Sequence, residues 1–275
     1  MQYRNGKATE LFDKVYDRLC SASLAGFSVL VMTFLYLPVL ILIVFSFNDD
    51  RSLTLPLTGF TLRWYVSLFS NADLLAAIYN SFYVALIATS ITLVIGVPAA
   101  IALDRLEFPG KTVFRRLVLL PIALPGVITG VSMLNLFKLM GMNLSLETVI
   151  LGHATGLVSI VVTQVFARLQ RVNRSVEEVS ADLGARPYQT FFFITLPNIK
   201  TAIIGSALLS FTVSFDEIPV TFFLTGRENT LPMYIWSTLR RGITPEINAV
   251  GTLIVLSSLV LIIVSVRMLR DTDKR

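Results

Sequence analysis

Six apolar runs, each about long enough to cross a membrane, divide this chain: roughly residues 24–47, 74–103, 117–137, 149–167, 198–224 and 249–266. A helix needs ~20 mostly apolar residues to span ~30 Å of hydrocarbon. The runs are continuous rather than alternating, which suits helices and not half-exposed strands. In lipid every backbone polar group must be paired internally, so only helices or closed barrels cross it. The expected fold is therefore an all-α membrane protein with six transmembrane helices. Composition agrees, with 54% hydrophobic and 15% charged residues, against about 25% charged in soluble domains.

The basic residues predict orientation. Arg4, Lys7, Lys14 and Arg18 precede the first run; Arg105, Lys111, Arg115 and Arg116 follow the second. Arg168, Arg171, Arg174 and Arg186 follow the fourth, and Arg267, Arg270, Lys274 and Arg275 follow the sixth. The intervening loops are poorer in Lys and Arg, so both termini and the segment 168–197 are expected on the cytoplasmic side. The net charge of +5 then reflects topology, and no nucleic-acid partner is expected. Residues 1–23 read as a cytoplasmic amphipathic segment, 24–266 as one transmembrane domain in contact with lipid, and 267–275 as a cytoplasmic tail. The first run exceeds a signal-peptide core and lacks an A-x-A site, so it is expected to remain as a span.

Several chemistries lack their residues. No G-x4-G-K-[ST] phosphate loop occurs, so an ATPase would have to be a separate chain. Cys20 is the only cysteine and His153 the only histidine, which leaves no zinc motif. A lone His in a membrane helix reads as an interhelical hydrogen-bonding residue. No G-x-S-x-G, Ser/Lys or H-E-x-x-H signature is present, which argues against an intramembrane enzyme.

The polar island 168–197 interrupts the apolar pattern. Ser175 to Leu183 can form a short helix, with Ser175 and Glu178 in capping-box spacing. Val176, Val179 and Leu183 then share a face. Gly184 suits the left-handed residue that ends a helix, and Pro187 suits a first turn. Phe191, Phe192 and Phe193 are placed to pack beneath the membrane helices, and Leu196-Pro197 marks entry to the fifth span. The order Glu178, Gly184, Ile194, Leu196, Pro197 resembles the E-A-A-x3-G-x9-I-x-L-P loop of ABC-importer permeases, with Val179 and Ser180 in place of its two alanines. In that family the loop docks on the ATPase subunit. The resemblance implies a cytoplasmic coupling helix between helices 4 and 5, with Glu177, Glu178, Asp182, Leu183, Gly184, Ala185, Arg186 and Pro187 in or beside the ATPase contact.

Asp216-Glu217 is the second polar interruption, set in the apolar sequence 206–224 and followed by Pro219. Ionisable groups in membrane segments are costly and tend to face a cavity or pathway. Asp216 is 18 residues beyond Asn198, or roughly 27 Å along a helix, which places the pair near the outer end. Pro219 is expected to bend or break the helix. One reading is a cation-attracting mouth; another is a hydrated interface paired with Arg240 or Arg241.

The segment from Ser214 through Asp216 and Glu217 to Gly226 resembles S-F-D-[DE]-x-x-V-[TS]-x-F-x-x-G of the spermidine/putrescine branch of these permeases. Thr230-Leu231-Pro232, Ile235-Trp236-Ser237 and Arg240-Arg241-Gly242 agree with it, as do Phe60 to Tyr65 and Asn80-Ser81. The resemblance covers about residues 24–266. It implies a permease subunit of an ATP-driven importer. Its partners would be a second related permease, two ATP-binding subunits and an extracytoplasmic binding protein. No cofactor would sit in this chain, because ATP and Mg²⁺ belong to the ATPase. It also implies that Ser214, Asp216 and Glu217 lie on the path of a polyamine. Trp64, Tyr65, Tyr234 and Trp236 are candidate cation–π surfaces, or else interfacial belt residues. Residues 231–241 read as a short outer helix on which a binding protein rests. Alternatives keep the machinery with another cargo, such as ferric ion, sulfate or phosphonate, or make the chain a stand-alone transporter or channel. Pro121, Pro125, Gly126 and Gly130 in the third run, and Gly96 and Pro98 in the second, predict kinks and close packing.

Overall fold

The computed structural model describes the backbone of residues 5–50, 56–240, 242 and 245–272, and side chains at 18, 20–50, 56–240, 242 and 245–259. Among these residues the chain is helical. The order is α1 (Asn5–Phe45), α2 (Arg63–Ser70), α3 (Ala72–Arg105), α4 (Lys111–Ala123), α5 (Gly126–Leu139) and α6 (Leu146–Leu169). Then follow α7 (Ser175–Asp182), α8 (Pro187–Thr190), a π turn (Phe191–Thr195), α9 (Leu196–Phe215), α10 (Pro219–Leu224), α11 (Leu231–Leu239) and α12 (Pro245–Thr272).

Residues 71–241 form one compact unit. Its spine is α3 against α6. Asn71 caps α3 by accepting from Leu74 N at 3.0 Å, one of the donors a helix start leaves unpaired. In lipid, apolar burial between helices drives little, and close packing with interhelical hydrogen bonds must hold the bundle. Gly96 supplies the close approach: a Cβ there would lie 2.9 Å from Val161 Cγ1. Ser159 Oγ supplies a bond between helices, donating to Val118 O of α4 at 2.5 Å. Val84, Ala88, Val149 and Leu224 centre one buried cluster. Ala100, Leu103, Val165, Leu169 and Ile199 centre another.

Residues 1–70 and 242–275 form a second unit. In it α12 packs on α1 and α2, with Gly251 facing Leu42, whose Cδ1 would be 3.1 Å from an added Cβ. Trp64 is buried and donates from Nε1 to Asn48 O at 2.7 Å. Tyr65 and Ser46 share a hydroxyl bond of 2.6 Å. The most apolar window of α1 buries nothing inside the chain. Phe27 and Phe34 are 66% and 75% exposed, a surface that suits lipid rather than water.

Four helical stretches among the described residues are long and apolar enough to cross a membrane: Cys20–Phe45, Ala72–Arg105, Leu146–Leu169 and Pro187–Phe215. The third run was expected as one kinked span, but α4 and α5 meet at 108°. The cause is local. Leu124, ahead of Pro125, is extended at φ −85°, ψ 134°, because a residue before proline is driven out of the helical region. If the bent pair is a single span, the spans number five. The sixth run belongs to α12, whose described apolar part is the shorter Pro245–Leu259.

The fifth run also differs from expectation. Helix does not begin at Leu196-Pro197. It continues from Pro187 through the π turn to Phe215, since proline is tolerated in a first turn and the wider turn absorbs the junction. Phe192 and Phe193 are exposed rather than packed under the bundle. The capping box expected at Ser175 and Glu178 does not form. Asn173 Oδ1 takes the Ser175 amide at 3.0 Å instead. Gly184 does take a left-handed φ of 83°, and Pro187 does open a helix.

Candidate functional site

Two helix breaks converge on the middle of an unbroken helix inside the larger unit. The break between α4 and α5, the middle of α6 and the break between α9 and α10 line a half-open cavity of about 220 Å³. Pro121, Gly126, Thr129, His153, Ser214 and Glu217 line it, together with apolar groups such as Ile122, Leu157 and Val220.

Glycines let these elements meet. A Cβ at Gly152 would lie 2.4 Å from Leu224 Cδ1. One at Gly130 would lie 2.8 Å from Phe223 Cδ2. One at Gly126 would lie 3.1 Å from Pro219 Cβ and 3.3 Å from Glu217 Oε1. The short helix α10 therefore sits in a seam only glycine leaves open, and that seam brings Glu217 against α5.

Polar bonds fix the corner. His153 is 4% exposed. Its Nδ1 lies 2.7 Å from Ser214 Oγ and its Nε2 lies 2.9 Å from Thr221 Oγ1. Thr221 Oγ1 donates to Glu217 O at 2.9 Å. The Glu217 side chain accepts from Val220 N at 3.0 Å, closing the first turn of α10. The interhelical role expected of His153 is what the geometry shows, and His153 joins the cavity wall as well.

The other candidate residues are distributed unevenly. Ser214 is buried and Glu217 half-buried at the cavity, whereas Asp216 is exposed where α9 ends. Neither acid forms an ion pair among the described residues, so the pairing with Arg240 does not occur; Arg240 instead stacks over Trp236, 5.2 Å from the ring centroid. Arg241 lies outside the described residues. Tyr234 and Trp236 lie on α11, a helix the sequence anticipated, and are not among the cavity-lining residues. Tyr234 OH accepts from Asn71 Nδ2 at 3.0 Å. Trp64 and Tyr65 belong to the other unit, where Trp64 is buried and its ring lies 4.5 Å from Arg63 Cζ. Among the described residues, no three His, Cys, Asp or Glu side chains come together as a metal-holding group.

A second surface surrounds α7. Val176, Val179 and Leu183 are 49%, 54% and 83% exposed, an apolar ridge of the kind a docked partner covers. Glu178, Asp182, Gly184 and Arg186 are exposed beside it, as is Pro187; Ala185 is half-buried. Glu177 alone among these acids turns inward, where Arg105 Nη2 donates to its Oε1 at 2.8 Å. Reading the sequence missed this inward cluster, because Arg105 and Arg174 had weight only as loop cations. The signal was Asp104, an acid set at the end of an otherwise apolar run.

Comparison with known proteins agrees with this architecture. Residues 92–275 match the family described as binding-protein-dependent transport system inner membrane component. The putrescine transport system permease protein PotI of Escherichia coli (strain K12) is 38% identical over 230 residues, covering 81% of this chain and 82% of that one. The spermidine/putrescine transport system permease protein PotC of the same strain is 34% identical over 250 residues, covering 90% and 94%. Among solved structures, a bacterial alginate ABC transporter in complex with an alginate pentasaccharide-bound periplasmic protein superposes with TM-score 0.73. It is 18% identical and covers 94% of this chain and 96% of that one. The MetNI methionine ABC transporter in inward-facing conformation gives 0.58 at 17% identity, covering 72% and 93%. These two likenesses show a shared fold. The match over 92–275, joined to relatives above 30% identical across most of their length, settles the family: the chain belongs to the binding-protein-dependent transport system inner membrane components.

Proposed function

We propose that this chain is one of two permease subunits of an ATP-driven importer and that its cargo is a polyamine. The observation that carries the reading is the 38% identity to a putrescine permease over 81% of the chain. The cavity supports it chemically. A carboxylate in an otherwise largely apolar wall suits an ammonium group followed by methylenes, and a carboxylate partly withdrawn from water, as the half-buried Glu217 is, attracts a cation more strongly than one fully in it. In this reading the chain crosses the inner membrane six times with both termini in the cytoplasm. The second permease is related to this chain, and an extracytoplasmic binding protein delivers the cargo near α11. Two ATP-binding subunits bind ATP and Mg²⁺ and dock on α7. This chain breaks no bond. It changes which side the cavity faces. Asp216, exposed at the end of α9, draws the cation in, and Glu217 receives it.

The test is uptake of labelled putrescine and spermidine by cells lacking their own polyamine import. The chain is expressed with its chromosomal neighbours, with and without Asp216→Asn/Glu217→Gln. ATPase-dependent uptake that collapses in the double variant supports cargo and site. Uptake that survives it removes the acids from the path. An assembled complex that hydrolyses ATP without polyamine uptake sends the search to another solute.

A further inference from the structure

The charges beneath the bundle are arranged as a mechanical joint. Arg105 is the last residue of α3. Its Nη2 donates to Glu177 Oε1 of α7 at 2.8 Å, and its Nη1 lies 2.9 Å from Asp104 Oδ2. Asp104 has a side chain only 1% exposed. Gln170, at the end of α6, donates to its Oδ1. Arg174, one residue before α7, reaches its Oδ2 at 3.3 Å and its backbone carbonyl at 2.8 Å. From the other side, Thr195 Oγ1 in the π turn donates to Glu177 Oε1 at 2.8 Å. Glu177 thus takes a bond from the end of α3 and another from the turn that feeds α9.

We propose that Arg105 and Glu177 are a positioning pair that latches α7 to α3 and α9, so that a displacement of α7 moves both membrane helices. This rests on the reading of α7 as the segment that meets the ATPase. The helix has two faces with different work. Val176, Val179 and Leu183 are exposed for a partner, while Glu177 faces the bundle. An apolar contact at the inner face would let α7 slide. A part-buried ion pair holds one register, because Arg105 is the one cation paired with Glu177 among the described residues and its loss leaves that carboxylate without compensation. Arg105 and Glu177 have side chains 17% and 18% exposed, so water screens them weakly. The π turn adds a reason for the second bond. It is a local break in regular α-helical pairing, and Thr195, buried within it, ties that break to α7.

The test uses the full complex in vesicles with its binding protein, reading putrescine uptake per ATP hydrolysed and the stimulation of hydrolysis by the binding protein. Glu177→Gln and Arg105→Gln are expected to leave the amount of assembled complex unchanged. Both should lower uptake per ATP by about tenfold and flatten the stimulation. Thr195→Val, which removes one bond and no charge, is expected to lower it about threefold. Arg105→Lys, which keeps a cation between Asp104 and Glu177, should retain much of the coupling that Arg105→Gln loses. Single variants that transport normally per ATP overturn the latch. So do variants that lose assembled complex while transport per ATP holds, which marks a merely structural pair. A wild-type complex that responds to its binding protein but moves no putrescine defeats the cargo reading alone, since the stimulation still reads the latch. A wild-type chain that recruits no ATPase defeats both.

Discussion

His153 Nε2 lies 2.9 Å from Thr221 Oγ1, and that hydroxyl donates its only proton to the Glu217 carbonyl. The ring therefore donates from Nε2, and in the tautomer that carries its proton there Nδ1 accepts from Ser214. One imidazole joins α6, the end of α9 and α10. His153→Phe removes both ring nitrogens, leaving the buried Ser214 hydroxyl without its His153 partner and the Thr221 oxygen with one bond fewer, at an expected cost of ~1–3 kcal/mol. His153→Gln, which offers both a donor and an acceptor, should recover part of it. Thermal unfolding of the purified complex checks the order wild type, Gln, Phe. Equal midpoints would contradict it.

The glycine seam makes a sharper claim. A methyl at Gly152 meets Leu224 and Val220, both buried. Gly152→Ala is expected to destabilise by ~1–3 kcal/mol through overpacking. Gly156, also on α6, has nothing within 4 Å of an added Cβ. Gly156→Ala should be neutral or slightly stabilising, as Ala favours helix over Gly. Unfolding of the two variants side by side decides it.

Trp64 is 5% exposed and its indole is bonded to Asn48 O. Trp64→Phe is expected to lower stability by ~1 kcal/mol without changing the KM for cargo. An altered KM at unchanged stability would return Trp64 to the transport path.

Leu183, 83% exposed at the end of α7, should matter only when a partner is present. Leu183→Asp is expected to shift the chain's own stability by no more than ~0.5 kcal/mol. It should also reduce recovery of the ATPase by affinity purification. Unchanged recovery would remove the ridge from the interface.

What the sequence revealed follows from the range of the forces involved. Apolar runs, the prolines at 121, 125 and 219, and Gly184 act through backbone and solvent, so their effects appear in the helices and breaks. The 108° corner at Leu124-Pro125 was foreseen as a kink only, because a proline in the sequence marks where a helix is interrupted and not the angle at which it resumes. Asp216 and Glu217 are neighbours with the same charge, and sequence does not tell them apart. The α9 terminus does, leaving Asp216 exposed and turning Glu217 toward Gly126. Partnerships such as Arg105 with Glu177 span 72 residues and have no local signature.

The most direct measurement is putrescine accumulation in vesicles containing the purified complex and its binding protein, with ATP supplied on the ATPase side. The account predicts ATP-dependent accumulation that falls at least about tenfold, ~1.4 kcal/mol, in Glu217→Gln while hydrolysis continues. Asp216→Asn is predicted to have the smaller effect. Accumulation unchanged in Glu217→Gln, or wild-type vesicles that hydrolyse ATP and take up no putrescine, would contradict it.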